Sequence, residues 1–135
     1  MKVSLLSLII NCVKALQFGQ LVTKPIINKP SFGIQPLLHY GIIIDDNVIY
    51  EFNNNISRNV SFSEFGKFDV IDTPPKEGWE NRYKHIAKNP PKYNVLTCNC
   101  EHIARWIRDD EYYCTQLPSY HLRKIFNKNQ TKTKN

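Results

Sequence analysis

The chain lacks any apolar run approaching the roughly 20 residues that a membrane-spanning helix needs. Its two ends also lack acidic residues: positions 1–44 contain four Lys, positions 121–135 contain five Lys or Arg, and neither stretch contains Asp or Glu. The chain has no internal repeat and no motif of a nucleic-acid-binding module, so nucleic acid is not an expected partner. The basic ends leave two interpretations open, a solvated surface or peripheral contact with an anionic membrane.

Cysteine is scarce, with four residues in the chain, and the export context in which disulfides form is missing. Cys98 and Cys100 are too close along the chain to bridge one another easily, and no convincing export signal supports a disulfide framework that includes Cys12 and Cys114. The sequence therefore predicts reduced thiols in a cytoplasmic protein.

Positions 1–16 are predicted to form an apolar helix with one narrow polar stripe. The stripe consists of Ser4, Ser7, Asn11 and Lys14, spaced three, four and three residues apart. A helix of this kind packs on the domain or rests in a membrane interface. A signal peptide is the competing interpretation, but Lys14 and the lack of a small-x-small cleavage site disfavour it.

The remaining residues predict one α+β domain over positions 17–126 and a disordered basic tail over 127–135. Apolar residues make up 41% of the 135 and charged residues 22%, which is a globular composition. Strands are predicted at 18–24, 37–44, 48–53 and 67–72, with a further extended segment at 93–97. Helices are predicted at 78–89 and 100–108.

Cys100 is predicted to lie in the first turn of the later helix, on the face that packs against the domain. The inward positions Cys100, Ile103, Ala104 and Ile107 recur at i, i+3, i+4 and i+7. Asn99, directly before them, is a good N-cap residue. A thiol in this place meets the positive end of the helix dipole and free N–H groups, which favour the thiolate and supply donors for a developing oxyanion. Cys100 is therefore the candidate nucleophile.

The base must come from another part of the chain, because His102 lies two positions after the thiol and roughly 200° around the helix. His39 begins a predicted strand, and the partner strand of the same hairpin contains Glu51. A three-residue loop at positions 45–47 would place Gly41 opposite Glu51, so that His39, Gly41 and Glu51 share one face of the sheet. Glu51 could then orient the imidazole, whose other nitrogen takes the thiol proton.

Each of these residues also has an ordinary structural interpretation. A buried Cys is usually a small hydrophobe, a His at a strand start is often only a polar end residue, and Glu51 can simply be solvated. Cys98, Cys100 and His102 could alternatively ligate zinc, but no fourth ligand is evident in the sequence. No metal or other cofactor is expected.

Two segments together resemble the lecithin:retinol acyltransferase-like family. LLHYGIIIDDNVIYEF looks like the His box of that family, and YNVLTCNCEHIARW looks like its Asn-Cys-Glu-His box, in the same order along the chain. The resemblance covers roughly positions 18–110 and implies a circularly permuted papain-like fold, related to the NlpC-type cell-wall peptidases. It also implies a thioester on Cys100 with His39 as the base. Glu51 stands where well-known relatives usually have a second His, which leaves the pH optimum and the substrate open.

The resemblance implies acyl transfer or hydrolysis on lipid acyl esters, of the phospholipase or acyltransferase type. A cysteine peptidase or amidase acting on peptide or isopeptide bonds is the alternative that the NlpC-type relatives suggest. A non-catalytic binding module that kept the fold is the third interpretation. The expected partner is a lipid or acyl-ester substrate, and the sequence predicts no oligomeric state.

Overall fold

The computed structural model describes residues 16–26, 37–54 and 56–121. The strands are β1 (Leu21–Pro25), β2 (Leu38–Asp45), β3 (Val48–Asn53), β4 (Ile56–Ser61) and β5 (Asp69–Ile71). They form one antiparallel sheet in the order β4-β3-β2-β1-β5. The helices are α1 (Phe62–Phe65), α2 (Trp79–Lys88) and α3 (Cys100–Asp109).

The predicted α+β class is confirmed, and β2, β3, α2 and α3 match their predicted bounds within one residue at each end. β1 begins three residues later than predicted. β4 and α1 were not predicted. β4 contains only two apolar residues, Ile56 and Val60, because it is an edge strand whose outward side chains meet solvent. α1 is a single turn capped by Ser61, too short to produce a helical periodicity.

The prediction of an extended segment at 93–97 is wrong. Asn94 and Cys98 pair with each other across a tight turn, with N···O distances of 2.8 and 2.9 Å. The Asn94 side chain accepts hydrogen bonds from the backbone N–H groups of Leu96 and Thr97, at 2.9 and 3.1 Å. An Asn side chain that bonds to the backbone two and three residues ahead stabilises a turn against an extended chain.

The hairpin of β2 and β3 has the predicted register, because Gly41 pairs with Glu51. The turn itself differs from the prediction. Asp45 pairs with Val48, and a β-bulge between Ile43 and Asp45 takes up the extra residue. Asn47 has a φ of 54°, the left-handed conformation expected for this position. The bulge therefore keeps Glu51 on the predicted face, although a two-residue turn alone would have moved it to the other face.

Side chains alternate between two hydrophobic cores on the two faces of the sheet. The first core lies between the sheet and helices α2 and α3, and consists of Leu21, Tyr40, Ile42, Tyr50, Phe52, Ile86, Cys100, Ile103, Ala104 and Ile107. The second core is smaller and consists of Val22, Ile43, Ile49, Val60 and Phe65. Gly41 lies under this second core, where a Cβ would come within 2.7 Å of Ile49 and 3.1 Å of Phe65, so only glycine lets the Phe65 ring approach the sheet.

Two predicted segments fall outside the described residues: the apolar helix at 1–16, of which only Leu16 is described, and the tail at 127–135. Among the residues that are described, no helix has the length and apolar character required to cross a membrane. The three cysteines in this part of the chain, Cys98, Cys100 and Cys114, have free thiols.

Candidate active site

The candidate nucleophile Cys100 is the first residue of α3, and the cap predicted for this helix is present. Asn99 has an extended backbone, and its Oδ1 accepts from the N–H groups of Glu101 and His102 at 3.0 and 3.1 Å. The next N–H, that of Ile103, donates to the Asn99 carbonyl at 3.2 Å. Three N–H groups of the first turn are thus directed at Asn99, and the N–H of Cys100 is not part of this cap.

His102 belongs to the cap. Its Nδ1 accepts from the Asn99 backbone N–H at 3.2 Å, which completes a capping box. Its ring stacks on Tyr112, with 4.7 Å between ring centroids. Burial lowers the pKa of His102, so the ring stays neutral and suited to accepting this hydrogen bond. The expectation that His102 points away from the Cys100 thiol agrees with these contacts.

The structure brings His39 and Glu51 together on adjacent strands, as the register predicted. His39 Nε2 lies 2.9 Å from Glu51 Oε2, and both residues are buried, at 5% and 6% exposed. The other carboxylate oxygen, Oε1, accepts from Arg58 Nε at 2.8 Å. Arg58 is directly opposite Glu51 in the β3–β4 pairing. An Arg–Glu–His chain therefore runs across three neighbouring strands.

The imidazole of His39 is held in its charged form. Burial alone would lower its pKa, but hydrogen bonds with Cys100 and Glu51, and the charges of both groups, outweigh burial and raise the pKa of His39 to about 9. Because Nε2 is bonded to Glu51, Nδ1 is the nitrogen left for the sulfur of Cys100. His39 therefore interacts with both Glu51 and Cys100.

Glu51 is the anion of this arrangement. The hydrogen bond from His39 has the largest effect on Glu51; burial opposes it, and Arg58 adds to it, so the pKa of Glu51 falls to about 2. The carboxylate is therefore ionised throughout the range in which the imidazole is charged. A carboxylate bonded to the imidazole nitrogen away from the nucleophile fixes the ring and stabilises its protonated form.

His39 and Cys100 are packed into different cores. The His39 ring stacks on Phe65 of the second core, with 5.7 Å between centroids, whereas Cys100 belongs to the first core. Lys24, paired with His39 across β1 and β2, places its ammonium 4.2 Å from the centre of the same Phe65 ring. The candidate base near the start of β2 and the candidate nucleophile at the start of α3 therefore do not share one hydrophobic cluster.

Glu101, directly after Cys100, is fully buried and accepts five hydrogen bonds. The donors are Arg105 Nε, Thr115 N, Thr115 Oγ1, Cys114 Sγ and Gln116 Nε2, at 2.6 to 3.0 Å. Burial alone would raise the pKa of Glu101, but the hydrogen bonds from Thr115 and Cys114, with Arg105, hold it below the usual value. Sequence periodicity missed this residue, because it assigned only the apolar positions of α3 to the interior.

Cys114 is the other fully buried thiol near this helix, and it is not activated. Burial raises the pKa of Cys114 to about 12, and the bond to the Glu101 carboxylate adds to that increase. Cys114 Sγ lies 3.0 Å from Glu101 Oε2 and acts as a neutral donor. The thiol beside an imidazole is thus Cys100, whereas the thiol of Cys114 contacts a carboxylate.

An apolar groove of about 400 Å³ lies beside the helix of the candidate nucleophile. Its walls are formed by His85, Ile86, Pro91, Cys98, Ile103, Trp106 and Tyr112. Ile103 is on the same face of α3 as Cys100, one turn further along, so one wall of the groove continues the helix face to which Cys100 belongs. An alkyl chain is chemically suited to these walls.

The zinc alternative finds no support in the part of the chain that the structure describes, where no three His, Cys, Asp or Glu side chains are placed to hold a metal ion. One of the two ring nitrogens of His102, Nδ1, is already bonded to the Asn99 backbone N–H.

Arg58 and Gln116 are the other polar residues at this site that the sequence did not indicate. Arg58 could have been found from the hairpin, since it lies seven residues after Glu51 across a short turn. Gln116 had no signal, because it lies in a segment without periodic apolar residues.

No protein-family model, no curated protein and no solved structure matches the chain.

Proposed function

We propose that the protein is a thiol enzyme that transfers or hydrolyses acyl groups through a thioester on Cys100, in the manner of the lecithin:retinol acyltransferase-like family. The proposal rests chiefly on the imidazole of His39, which lies 2.9 Å from the Glu51 carboxylate and whose pKa is raised by interactions with both Cys100 and Glu51. An imidazolium beside a sulfur is the arrangement that keeps a cysteine in its nucleophilic thiolate form at neutral pH.

In the first half of the reaction, the Cys100 thiolate attacks an ester carbonyl and forms a tetrahedral oxyanion. The N–H of Cys100, which the Asn99 cap leaves out, is the donor that we assign to that oxyanion. As the carbon–oxygen bond to the leaving group breaks, the His39 imidazolium gives its proton to the departing alkoxide. A thioester on Cys100 and a neutral imidazole remain.

In the second half, neutral His39 takes a proton from water, an alcohol or an amine, which attacks the thioester. The carbon–sulfur bond breaks, the acyl group leaves with the acceptor, and Cys100 returns as the thiolate beside imidazolium. Glu51 keeps the ring oriented and stabilises its charge in both halves. The proposed reaction steps involve no redox change and no cofactor.

A lipid acyl ester is the proposed donor, and the apolar groove beside α3 supports it. The groove has a volume of about 400 Å³, and its walls include Ile86, Ile103 and Trp106, whose apolar side chains suit an alkyl chain. The finer fold assignment, a circularly permuted papain-like domain, belongs to the same proposal. It is supported by the antiparallel sheet, the Cys at the N-terminus of a packed helix, and the base preceding the nucleophile along the chain.

The test is to trap the acyl-enzyme. The full chain is incubated with phosphatidylcholine vesicles or a long-chain activated ester and quenched in acid, and the intact mass is then measured. Peptide mapping locates the adduct. The expected result is one acyl mass on Cys100, absent in Cys100→Ser and strongly reduced in His39→Ala. Cys114→Ser is the matched control, because this buried thiol contacts the Glu101 carboxylate rather than an imidazole and a serine keeps that hydrogen bond, so the adduct should stay intact.

A parallel incubation with a peptide library separates lipid from peptide chemistry. Cleavage of peptides that depends on Cys100, without any adduct from lipid, would move the assignment to a cysteine peptidase. No adduct with either substrate class, together with slow alkylation of Cys100 at neutral pH, would overturn the enzymatic proposal and favour a binding module.

A further inference from the structure

One side chain joins the start of α3 to the start of β2. The amide of Gln116 accepts from the Leu38 N–H at 2.6 Å and donates to the Leu38 carbonyl at 3.2 Å. The same Nε2 donates to Glu101 Oε2 at 3.0 Å. The side-chain amide of Gln116 therefore bonds to both the N–H and the C=O of Leu38, as the backbone of a neighbouring strand would. The same amide also binds Glu101, the residue after Cys100.

A second connection runs from the same carboxylate to the other side of His39. Arg105 Nε donates to Glu101 Oε1 at 2.8 Å, and Arg105 Nη2 lies 3.5 Å from the Tyr40 hydroxyl. Glu101 is thus linked to Leu38 through Gln116 and to Tyr40 through Arg105. These two residues flank the candidate base in β2, and Glu101 itself follows the candidate nucleophile.

Such a bridge is needed because packing alone does not hold the reactive pair together. The His39 ring is stacked in the second core and Cys100 is packed in the first, so no single hydrophobic cluster fixes the distance between them. Proton transfer between sulfur and imidazole needs hydrogen-bond distance, and a displacement of about 1 Å can cost roughly a hundredfold in rate.

We propose that Gln116, bonded to Glu101 and to Leu38, is a positioning residue that sets the distance between the Cys100 thiol and the His39 imidazole. A glutamine suits this task because its planar amide donates and accepts at once, matching the N–H and C=O of Leu38 with one hydrogen left for Glu101. A carboxylate could not donate, and an alkyl side chain could do neither.

The experiment compares Gln116→Met, which keeps the length of the side chain and removes every hydrogen bond, with Gln20→Met. Gln20 is also buried and also makes two side-chain hydrogen bonds, to the Gln17 N–H at 2.8 Å and to Asp72 at 3.3 Å, at the opposite end of β1 from the site. The rate at which iodoacetamide alkylates Cys100 is measured across pH by peptide mass mapping. Circular dichroism and thermal unfolding establish that each variant is folded.

The expected result is a roughly tenfold or greater fall in the alkylation rate of Cys100 at neutral pH in Gln116→Met. The rate should return to the wild-type value at high pH, where solvent hydroxide rather than His39 takes the proton. Gln116→Asn keeps the amide but is one methylene shorter, so it should lower the alkylation rate of Cys100 at neutral pH in the same way. This variant replaces Gln116→Met in the comparison if Gln116→Met does not fold. Gln20→Met should keep the wild-type profile.

Because this inference rests on the proposed function, the outcomes must separate the two. A wild-type Cys100 that reacts like an ordinary exposed thiol would overturn both. An activated Cys100 in the wild type with unchanged profiles in Gln116→Met and Gln116→Asn would overturn the positioning role alone, and would leave the thiol enzyme intact.

Discussion

The protein buries two glutamates next to arginines, and their surroundings differ. Glu51 is bonded to His39 and to Arg58, whose side chain is 55% exposed. Glu101 has no exposure, its arginine partner Arg105 is 10% exposed, and five donors surround it. The Glu51 carboxylate thus connects a buried imidazole to a largely exposed arginine, whereas the Glu101 carboxylate is surrounded by buried or half-buried hydrogen-bond donors.

From this difference we expect Glu51 to act on the charge of His39 and Glu101 to stabilise the fold. Glu51 faces a group that can change its charge, so its energy depends on the protonation of His39. Glu101 faces donors that stay protonated, and it fastens α3 to the segment around Thr115 and Gln116. We expect replacement of Glu101 to reduce stability first, and replacement of Glu51 to reduce reactivity first.

Glu101→Ala should give the largest effect, a loss of about 3–5 kcal/mol in the free energy of unfolding. The substitution leaves the Arg105 guanidinium buried without its anion, and it leaves Thr115 and Cys114 without an acceptor. Urea unfolding followed by circular dichroism measures the loss. The double variant Glu101→Leu/Arg105→Met should recover part of it, since both charges are removed together. A loss below about 1 kcal/mol for Glu101→Ala would contradict this stabilising role of Glu101.

Glu51→Gln should lower the rate of thioester formation roughly a hundredfold, with a smaller loss of stability than Glu101→Ala. The amide can still bond to the His39 ring, but it does not stabilise the charged form, so the pKa of His39 should fall below about 9. Single-turnover acylation of Cys100 by an activated ester measures the rate. An unchanged rate in Glu51→Gln would mean that Glu51 is only a buried ion-pair partner.

The stability difference between the wild type and Glu51→Gln should depend on pH in a defined window. The pKa of Glu51 falls from 4.5 to about 2 on folding, so its contribution is present above pH 4.5 and is lost as the pH falls towards 2. The pKa of His39 rises from 6.5 to about 9, so its contribution is present below pH 6.5 and is lost as the pH rises through 9. The difference should therefore be largest between pH 4.5 and 6.5. Chemical unfolding at several pH values gives the curve, and a flat curve would show that the pair does not titrate with folding.

Arg58→Ala should have the smallest effect, at most about 1 kcal/mol in stability, because more than half of the Arg58 side chain is exposed and solvent screens the ion pair. The pKa of Glu51 should rise in this variant, since Arg58 is one of the groups that lower it. In Arg58→Lys, which keeps the positive charge, the pKa of Glu51 should stay close to its wild-type value. An activity loss as large as that of Glu51→Gln would indicate that Arg58 has a role beyond this ion pair.

The sequence predicted the half of the site that local rules determine. The alternation of apolar residues and the left-handed Asn47 set the register of the hairpin, and the register alone placed Glu51 beside His39. The cap residue Asn99 and the apolar periodicity of α3 set where the helix begins. The exact form of the turn was not predictable, because a bulge between Ile43 and Asp45 takes up one residue without changing the register.

The other half depends on long-range polar contacts, which leave no periodic signal. The donors to Glu101 come from Thr115 and Gln116, in a segment whose position is set by hydrogen bonds rather than by an amphipathic pattern. Because glutamates are rarely buried without a partner, the sequence alone indicates that a Glu on a helix faces solvent. The extended segment predicted at 93–97 is wrong for the same reason, since the hydrogen bonds of the Asn94 side chain decide the shape of the turn there.

The charged state of His39 is the centre of this account, and an NMR titration of its imidazole measures that state most directly. Ring signals of His39 are assigned with His39→Ala and followed across pH in the folded full chain. We expect a pKa of about 9 for His39 in the wild type, lowered in both Cys100→Ser and Glu51→Gln because each removes one of the two groups that stabilise the imidazolium. A wild-type pKa near the ordinary value of 6.5, unaffected by either substitution, would show that neither group stabilises a charged His39.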